Sequence, residues 1–503
     1  MQAKPISIVV TSCSAPHPRK SYTFQTNLMQ KLLTFIALGA FVLFLPTQAQ
    51  AQAPSLKKIK KPGQTKPGKP LKRPIKRLIQ NLKGKKPKKK KRNPNRYEFG
   101  VLPAISGSVD TGFGFGLIAN VAKFKEGYYP YQWRLTFLWY MTTKDGGFPF
   151  HDDYIALDLP GLAGNTVRLN ARVGFRRFTT SGYYGMGNAA TGDRSVWEKL
   201  DPEKEKDKYL SARQRYQYDR TYPHATLDAR ILLRPKLFLF VGGAFLYNIM
   251  GVYKGSKLEE DIKATQNDSS SGTPLKNLLY GTTNHALVAF NLGTIWDSRN
   301  HEFTPSSGGL HEISVRASPG AALGTQYYFV GVNATTRFFF SLYKELLVLG
   351  VRVIGDALFG DVPFHVLTTY GGLFGGFLSG DSFGGGTSIR GIRTQRYHGK
   401  LKVMGNFELR CKLIPFSIGS NRFNVGLLLF ADAGRVWADY GSTEFKDKDG
   451  NTTSLDGNGA GIHWGAGAGL RLQWGESFII RADVAYSPDA DPIGFYISIN
   501  HIF

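Results

Sequence analysis

Cysteine is almost missing from this chain. Its 503 residues hold two, Cys13 and Cys411, too few and too far apart for a disulfide framework or a cysteine-based metal site. Long apolar runs are equally scarce. The longest stretch, Leu32 to Leu45, falls short of the roughly 20 residues a spanning helix needs, and nothing comparable follows it. Acidic residues are absent from the first 96 positions. The net charge of +27 is therefore unevenly spread: residues 1–51 carry four basic side chains and residues 52–96 carry nineteen, which leaves +4 for 97–503. The large domain is close to neutral, so the basicity of the whole chain does not indicate a nucleic-acid partner.

What is present begins with a targeting segment. From Met29, one lysine precedes the apolar run, and Ala49-Gln50-Ala51 supplies small residues in a cleavage pattern. The expectation is a signal peptide over 1–51, with Met29 an alternative start that gives a complete signal by itself. No cysteine follows the run, so a lipoprotein anchor is not supported. Residues 52–96 mix lysine with seven prolines and no aromatics, a composition that buries too little apolar area to repay its ordering entropy. A disordered, Lys/Pro-rich periplasmic linker is expected there. It reads as a solvated spacer; the other reading is contact with an anionic surface, worth about 1 kcal/mol for each basic residue near it.

From Tyr97 to the end the pattern has period 2. In MGNFELRCKL, Asn406, Glu408, Arg410 and Lys412 fall on one face, and Phe407, Leu409, Cys411 and Leu413 on the other. In SFIIRADVAYS, Arg481 and Asp483 oppose Ile480, Ala482, Val484 and Tyr486. A soluble sandwich and a membrane barrel both alternate in this way. The export signal and strands of about 10 to 15 residues favour the barrel, the remaining way to cross a membrane without apolar helices.

The predicted fold is therefore all-β: a transmembrane antiparallel β-barrel of about 16 strands over 97–503. The strands are placed near 112–124, 131–143, 152–158, 165–177, 208–218, 223–233, 236–249, 284–297, 308–318, 326–341, 345–358, 400–414, 422–436, 461–474, 477–487 and 493–503. If both chain ends face the periplasm, the long connections 250–283, 359–399 and 437–460 share the outer end. The segment 178–208 falls at the other end. The last strand carries Phe495, Ile497, Ile499, His501 and Phe503 on its lipid face, and Phe495 and Phe503 are candidates for a C-terminal assembly signal.

Four stretches resemble the outer-membrane protein assembly factor superfamily, also called the bacterial surface antigen family, which includes BamA-like and TamA-like barrels. WDSRNHEFTPSSGG (296–309) is similar to its D-x-R-[DN]…P…G hairpin, with Asp297, Arg299, Asn300, Pro305 and Gly308 in place. GGGTSIRGI (384–392) is similar to the tip of its sixth outer loop. GNFELR (405–410) and FADAG (430–434) resemble the two strands that follow. The resemblance implies an inward-folded loop whose Arg390 meets Glu408 and Asp432 on the barrel wall, with Phe430 and Gly434 on the same inner face and Gly391 permitting close approach. Ile392 stands where the family prefers Phe or Tyr.

Catalytic readings are weak. GDSFG (380–384) matches G-x-S-x-G, but a glycine loop follows Ser382 where a nucleophile elbow needs a helix. The glycines of 112–116 and 465–469 lack a dinucleotide fingerprint, and HDD (151–153) has no further ligand group. No enzyme activity, cofactor or metal is expected.

The resemblance implies a barrel in the outer membrane of a Gram-negative bacterium that assists insertion or translocation of other proteins, working through the seam between its first and last strands. The alternative is a structural or pore-forming barrel plugged by its sixth loop, without insertase activity. Relatives carry POTRA domains of about 75 residues, which 52–96 cannot form. The expected partners are outer-membrane lipids, client polypeptides and a periplasmic or lipoprotein partner that supplies the missing domains, with no nucleic acid among them.

Overall fold

A computed structural model describes residues 93–128, 130–192, 199–201, 203–267, 274–372, 382–418, 421–446, 451–457, 461–475, 478–489 and 493–503. The expected signal peptide and nearly all of the basic linker lie outside these residues.

The alternation that runs through the sequence closes on itself. Sixteen antiparallel strands form a barrel: β1 (Arg96–Ser108), β2 (Gly112–Phe124), β3 (Trp133–Lys144), β4 (Gly147–Gly161), β5 (Val167–Gly182), β6 (Gln217–Arg234), β7 (Leu237–Val252), β8 (His285–Asp297), β9 (Gly308–Pro319), β10 (Tyr328–Tyr343), β11 (Leu347–Gly360), β12 (Leu401–Ile418), β13 (Asn421–Trp437), β16 (His463–Trp474), β17 (Phe478–Tyr486) and β18 (Gly494–Ile499). A two-stranded hairpin, β14 (Glu444–Lys446) with β15 (Thr452–Ser454), stands in the connection between β13 and β16.

Burial is the reverse of that in a soluble protein. Phe290, Leu292, Trp296, Phe407 and Leu429 are exposed, whereas Arg352, Asp356, Lys402, Asn406 and Glu408 are buried. Only a lipid exterior makes this arrangement favourable, because apolar side chains then leave water and charged ones pair within the lumen.

The count of sixteen is right, but two strand placements are not. Residues 208–218 do not form a strand; most belong to helix α1 (Lys206–Gln214), whose Lys, Ala, Arg and Gln favour a helix. The missed strand is β1. Gly100 and Pro103 interrupt its period-2 pattern, yet an edge-like strand tolerates proline, and β1 is fully paired only with β2. Shifting the first strands by one position moves the long 183–216 connection to the end of the barrel that carries 253–284, 361–400 and 438–462. The expected misfit of 178–208 is thereby removed.

The seam also moves. It joins β18 to β1, not to 112–124. All thirteen residues of β1 pair with β2, but its ladder with β18 holds just Gly107↔Ile497 and Ser108↔Tyr496. β18 ends at Ile499, and Asn500, in the left-handed region at φ 64°, turns the remaining residues away from the wall.

The partial ladder gives a direct test. In a Cys411→Ser background, Gly107→Cys with Ile497→Cys should crosslink on oxidation, while Leu102→Cys with Ile497→Cys should not. Equal crosslinking of both pairs, read as gel mobility under non-reducing conditions, would mean a different seam.

Candidate functional site

The connection 361–400 leaves β11 and folds into the barrel. Its base is fixed by Asp356, which accepts two hydrogen bonds from Arg316 at 2.8 and 2.9 Å and one from the Gly371 amide at 3.1 Å. Lys402 lies 3.1 Å from the same carboxylate. The short helix α2 (Phe364–Leu367) is wholly buried and packs with Tyr183, Tyr218, Leu246, Leu258 and Leu278 from neighbouring strands and loops. This apolar cap forms between loops that would otherwise be solvated.

The tip of the loop holds Arg390, a fully buried side chain. Its Nε and Nη2 donate to the two oxygens of Asp432 at 2.8 and 2.9 Å, and Nη1 donates to Glu408 at 2.8 Å. Asp483 lies 3.5 Å away, and the guanidinium sits 3.5 Å above the Phe430 ring centroid. Burial opposes the charge, but the Asp432 and Glu408 carboxylates outweigh it and hold Arg390 more firmly ionised than usual. Gly391 follows at φ 96°; a Cβ there would meet the backbone of Tyr486 and Ser487 at 3.0 to 3.1 Å, so glycine is required by both conformation and space. Its amide donates to Tyr496 Oη at 3.0 Å. Ile392 is buried in a cluster with Ile354, Phe383, Ile389, Tyr397 and Met404, a niche of mixed aliphatic and aromatic side chains.

Two further arginines connect this tip to the chain terminus. Arg352, on β11, donates to Asn406 at 2.8 Å, to the Thr387 carbonyl at 2.6 Å and to the Ile502 carbonyl at 3.1 Å. Arg410, on β12, donates to Glu408 at 2.9 Å and to a terminal oxygen of Phe503 at 2.8 Å. Phe503 is therefore not on the lipid face. It is buried inside the barrel against Phe339 and Val348, because Asn500 reverses the chain before the alternation can continue. Phe495, on β18, is half-buried, and its carbonyl accepts from the Val109 amide at 3.2 Å.

Residues 165–503 match the Omp85 superfamily domain. The chain belongs to the Omp85 superfamily. It lies in the outer membrane, and barrels of this superfamily serve protein insertion or translocation there. The fold is similar to BamA from Haemophilus ducreyi lacking POTRA domains 1–3, at 14% identity over 80% of this chain and 70% of that one, with a TM-score of 0.48. It is also similar to CdiB from Escherichia coli, at 13% identity over 80% of this chain and 62% of that one, again with a TM-score of 0.48. The chain thus spans less than two thirds of CdiB. No curated protein matches it in sequence.

The hairpin motif of this Omp85 barrel is the β8–β9 turn, at the end of the barrel where β1 begins and β18 ends. Asp297 takes two bonds from the Arg299 side chain at 2.9 and 2.7 Å, and Asn300 Oδ1 accepts from the Ser306 and Ser307 amides. Pro305 is buried. Gly308 sits at φ 88°, where a Cβ would collide with the Ser298 carbonyl. The motif closes a rigid turn whose Thr304 and Pro305 border the lumen cavity beside Arg410 and His501.

Other residues singled out in the sequence have plain structural partners. Ser382 Oγ accepts from the Gln395 amide at 3.2 Å and lies 3.4 Å from the Gly384 carbonyl. His151, Asp152 and Asp153 lie within β4; Asp152 pairs with Arg176 at 2.7 Å, and Asp153 accepts from the Tyr140 amide. Among the described residues no group of three or more His, Cys, Asp or Glu side chains could hold a metal. Arg393 and Thr394 bind the β1–β2 turn through the Val109 carbonyl and Asp110, a contact across more than 280 residues of sequence that no local motif could disclose. Arg352 was invisible for the same reason. Arg410 and Asp483 were on inward faces, and a same-face row of charges was the signal for them.

Arg390→Ala should destabilise the barrel by about 3–5 kcal/mol, the usual cost of stranding one side of a buried charge network. Arg396, whose guanidinium stacks 4.2 Å from the Tyr184 ring centroid, should cost about 1 kcal/mol on replacement by Ala. Urea midpoints of the detergent-refolded proteins compare the two.

His365 and His398 carry a pH dependence. Burial, then the Lys402 charge, pushes His398 down to about 3, and burial with Arg220 and neighbouring histidines holds His365 well below its ordinary value. The unfolded loop takes up protons near pH 6.5 that the packed loop refuses, so stability falls as pH drops below about 6.5. Proteolysis of the outer loops should accelerate between pH 7.5 and 5, less so in His398→Leu.

Proposed function

We propose that this barrel assists the insertion or translocation of other polypeptides at the outer membrane. The observation that carries this reading is the β1–β18 seam. Arg96 to Ser106 of β1 have no ladder partner on β18 among the described residues, so their outward-turned N–H and C=O groups can pair with an incoming strand. The adjoining end of the seam is held from inside, since Arg393 and Thr394 of the plug loop bind the β1–β2 turn. A loop that fills the lumen and grips the first strand couples plug position to seam opening.

The residues proposed to do this are Arg390, Gly391 and Ile392 as the plug tip, with Glu408, Phe430, Asp432 and Gly434 as its seat. Asp297, Arg299, Asn300, Pro305 and Gly308 would fix the turn beneath it. A periplasmic or lipoprotein partner would deliver clients, and no catalytic step is involved.

Depleting the protein and quantifying the outer-membrane proteome should show selective loss of particular clients; unchanged levels would remove the proposal. The buried plug also favours a second reading, a closed barrel with no clients. Under that reading depletion leaves the proteome unchanged, while deletion of 384–399 raises conductance in planar bilayers.

A further inference from the structure

At the loop-bearing end of the barrel a recess lies between four segments that are far apart in sequence. The β1–β2 turn contributes Asp110, the end of β5 Thr180, the junction of α1 with β6 Arg213, Tyr216 and Gln217, and the plug loop Arg393. Its walls are braced without a guest. Asp110 accepts from the Thr394 amide and hydroxyl at 3.3 and 2.7 Å, and the Gly182 amide donates to Gln395 Oε1 at 3.1 Å. Tyr184 stacks on Tyr216 with centroids 4.9 Å apart and planes 9° from parallel. A recess held in shape in this way loses little freedom when a ligand enters.

Polar groups on these walls are left over. Arg213 Nη1 donates to Asp145 at 2.7 Å and to Tyr209 Oη at 3.4 Å, while its Nε and Nη2 have no hydrogen-bond partner among the described residues. The side-chain amide of Gln217 has none either, and Thr180 Oγ1 is buried without one. Charge is left over as well. Lys144 gives its amine to the Val109 and Asp110 carbonyls, so Lys144, Arg213 and Arg393 stand together against two carboxylates, Asp110 and Asp145. The Nε–Nη2 edge of a guanidinium matches two oxygens of a carboxylate or phosphate, and an amide and a hydroxyl beside it match the hydroxyls of a sugar.

We propose that this recess is a binding site for an acidic saccharide, a sugar that carries a carboxylate or a phosphate. Arg213 takes the oxyanion through Nε and Nη2, Arg393 and Lys144 add attraction at longer range, and Gln217 and Thr180 take ring hydroxyls. Two sources present this chemistry, the sugar head of an outer-leaflet glycolipid and a free acidic glycan. The site stands independently of the reading of the barrel as one that handles client polypeptides.

The test measures binding to the full-length protein in detergent with three probes: rough-type lipopolysaccharide, its core oligosaccharide freed from lipid, and maltohexaose as a neutral sugar. At least one of the two acidic probes should bind about tenfold more tightly than maltohexaose, and added salt should weaken it. Arg213→Gln should remove about tenfold and Gln217→Leu about fivefold. Asp145→Asn breaks the same ion pair but keeps the guanidinium, so binding should persist. Equal losses in Asp145→Asn and Arg213→Gln would make Arg213 a structural residue and overturn the site. Neither acidic probe exceeding maltohexaose, or inorganic phosphate competing as strongly as the saccharide, would overturn it too.

Folding of each variant is read from its heat-modifiable mobility on gels. Should Arg213→Gln fail to fold, Gln217→Leu carries the test, and unchanged affinity in that variant overturns the site. Binding of the freed core as well as the lipopolysaccharide supports a site for the sugar itself. Binding of lipopolysaccharide alone, lost in the same variants, supports the glycolipid as its source.

Discussion

One carboxylate, Glu408, serves two guanidiniums that belong to different parts of the chain. Arg390 comes down with the plug loop and Arg410 rises from the wall, carrying the chain terminus on its other nitrogen. Each charge is buried, and none could remain so alone, since a desolvated ion is tolerated only when its partners are in place. The loop, the wall and the tail therefore order one another. Arg352 repeats the connection a short way along, binding the Thr387 carbonyl of the loop and the Ile502 carbonyl of the tail with the same side chain.

Much of this was legible in the sequence because alternation is a local property. The inward positions of Glu408, Arg410 and Asp432 follow from counting by two along a strand, and the barrel follows from strands of that length in an exported chain. Two kinds of feature resisted. β1 carries Gly100 and Pro103, which break the pattern that marks its neighbours, so the strand that defines the seam was the one hardest to see. The tail failed for the opposite reason. Its alternation continues through His501 and Phe503, but the left-handed turn at Asn500 ends the strand before those positions are reached. Asparagine tolerates that conformation, and nothing in the residues beyond it announces the reversal.

The departure at Ile392 shows how a motif position is decided by its surroundings. Ile354, Ile389 and Met404 share its niche with Phe383 and Tyr397, and an aromatic contact to Arg390 comes from the wall through Phe430.

The charges that pair within the lumen have one more effect, felt before the barrel exists. Each strand that places an arginine, lysine or aspartate inside the barrel also interrupts its own apolar run. The membrane-spanning part of the chain thus contains no segment that a translocation channel would read as a stop signal. The side chains that pair inside the finished barrel are those that keep each strand of the unfolded chain from becoming one long apolar segment.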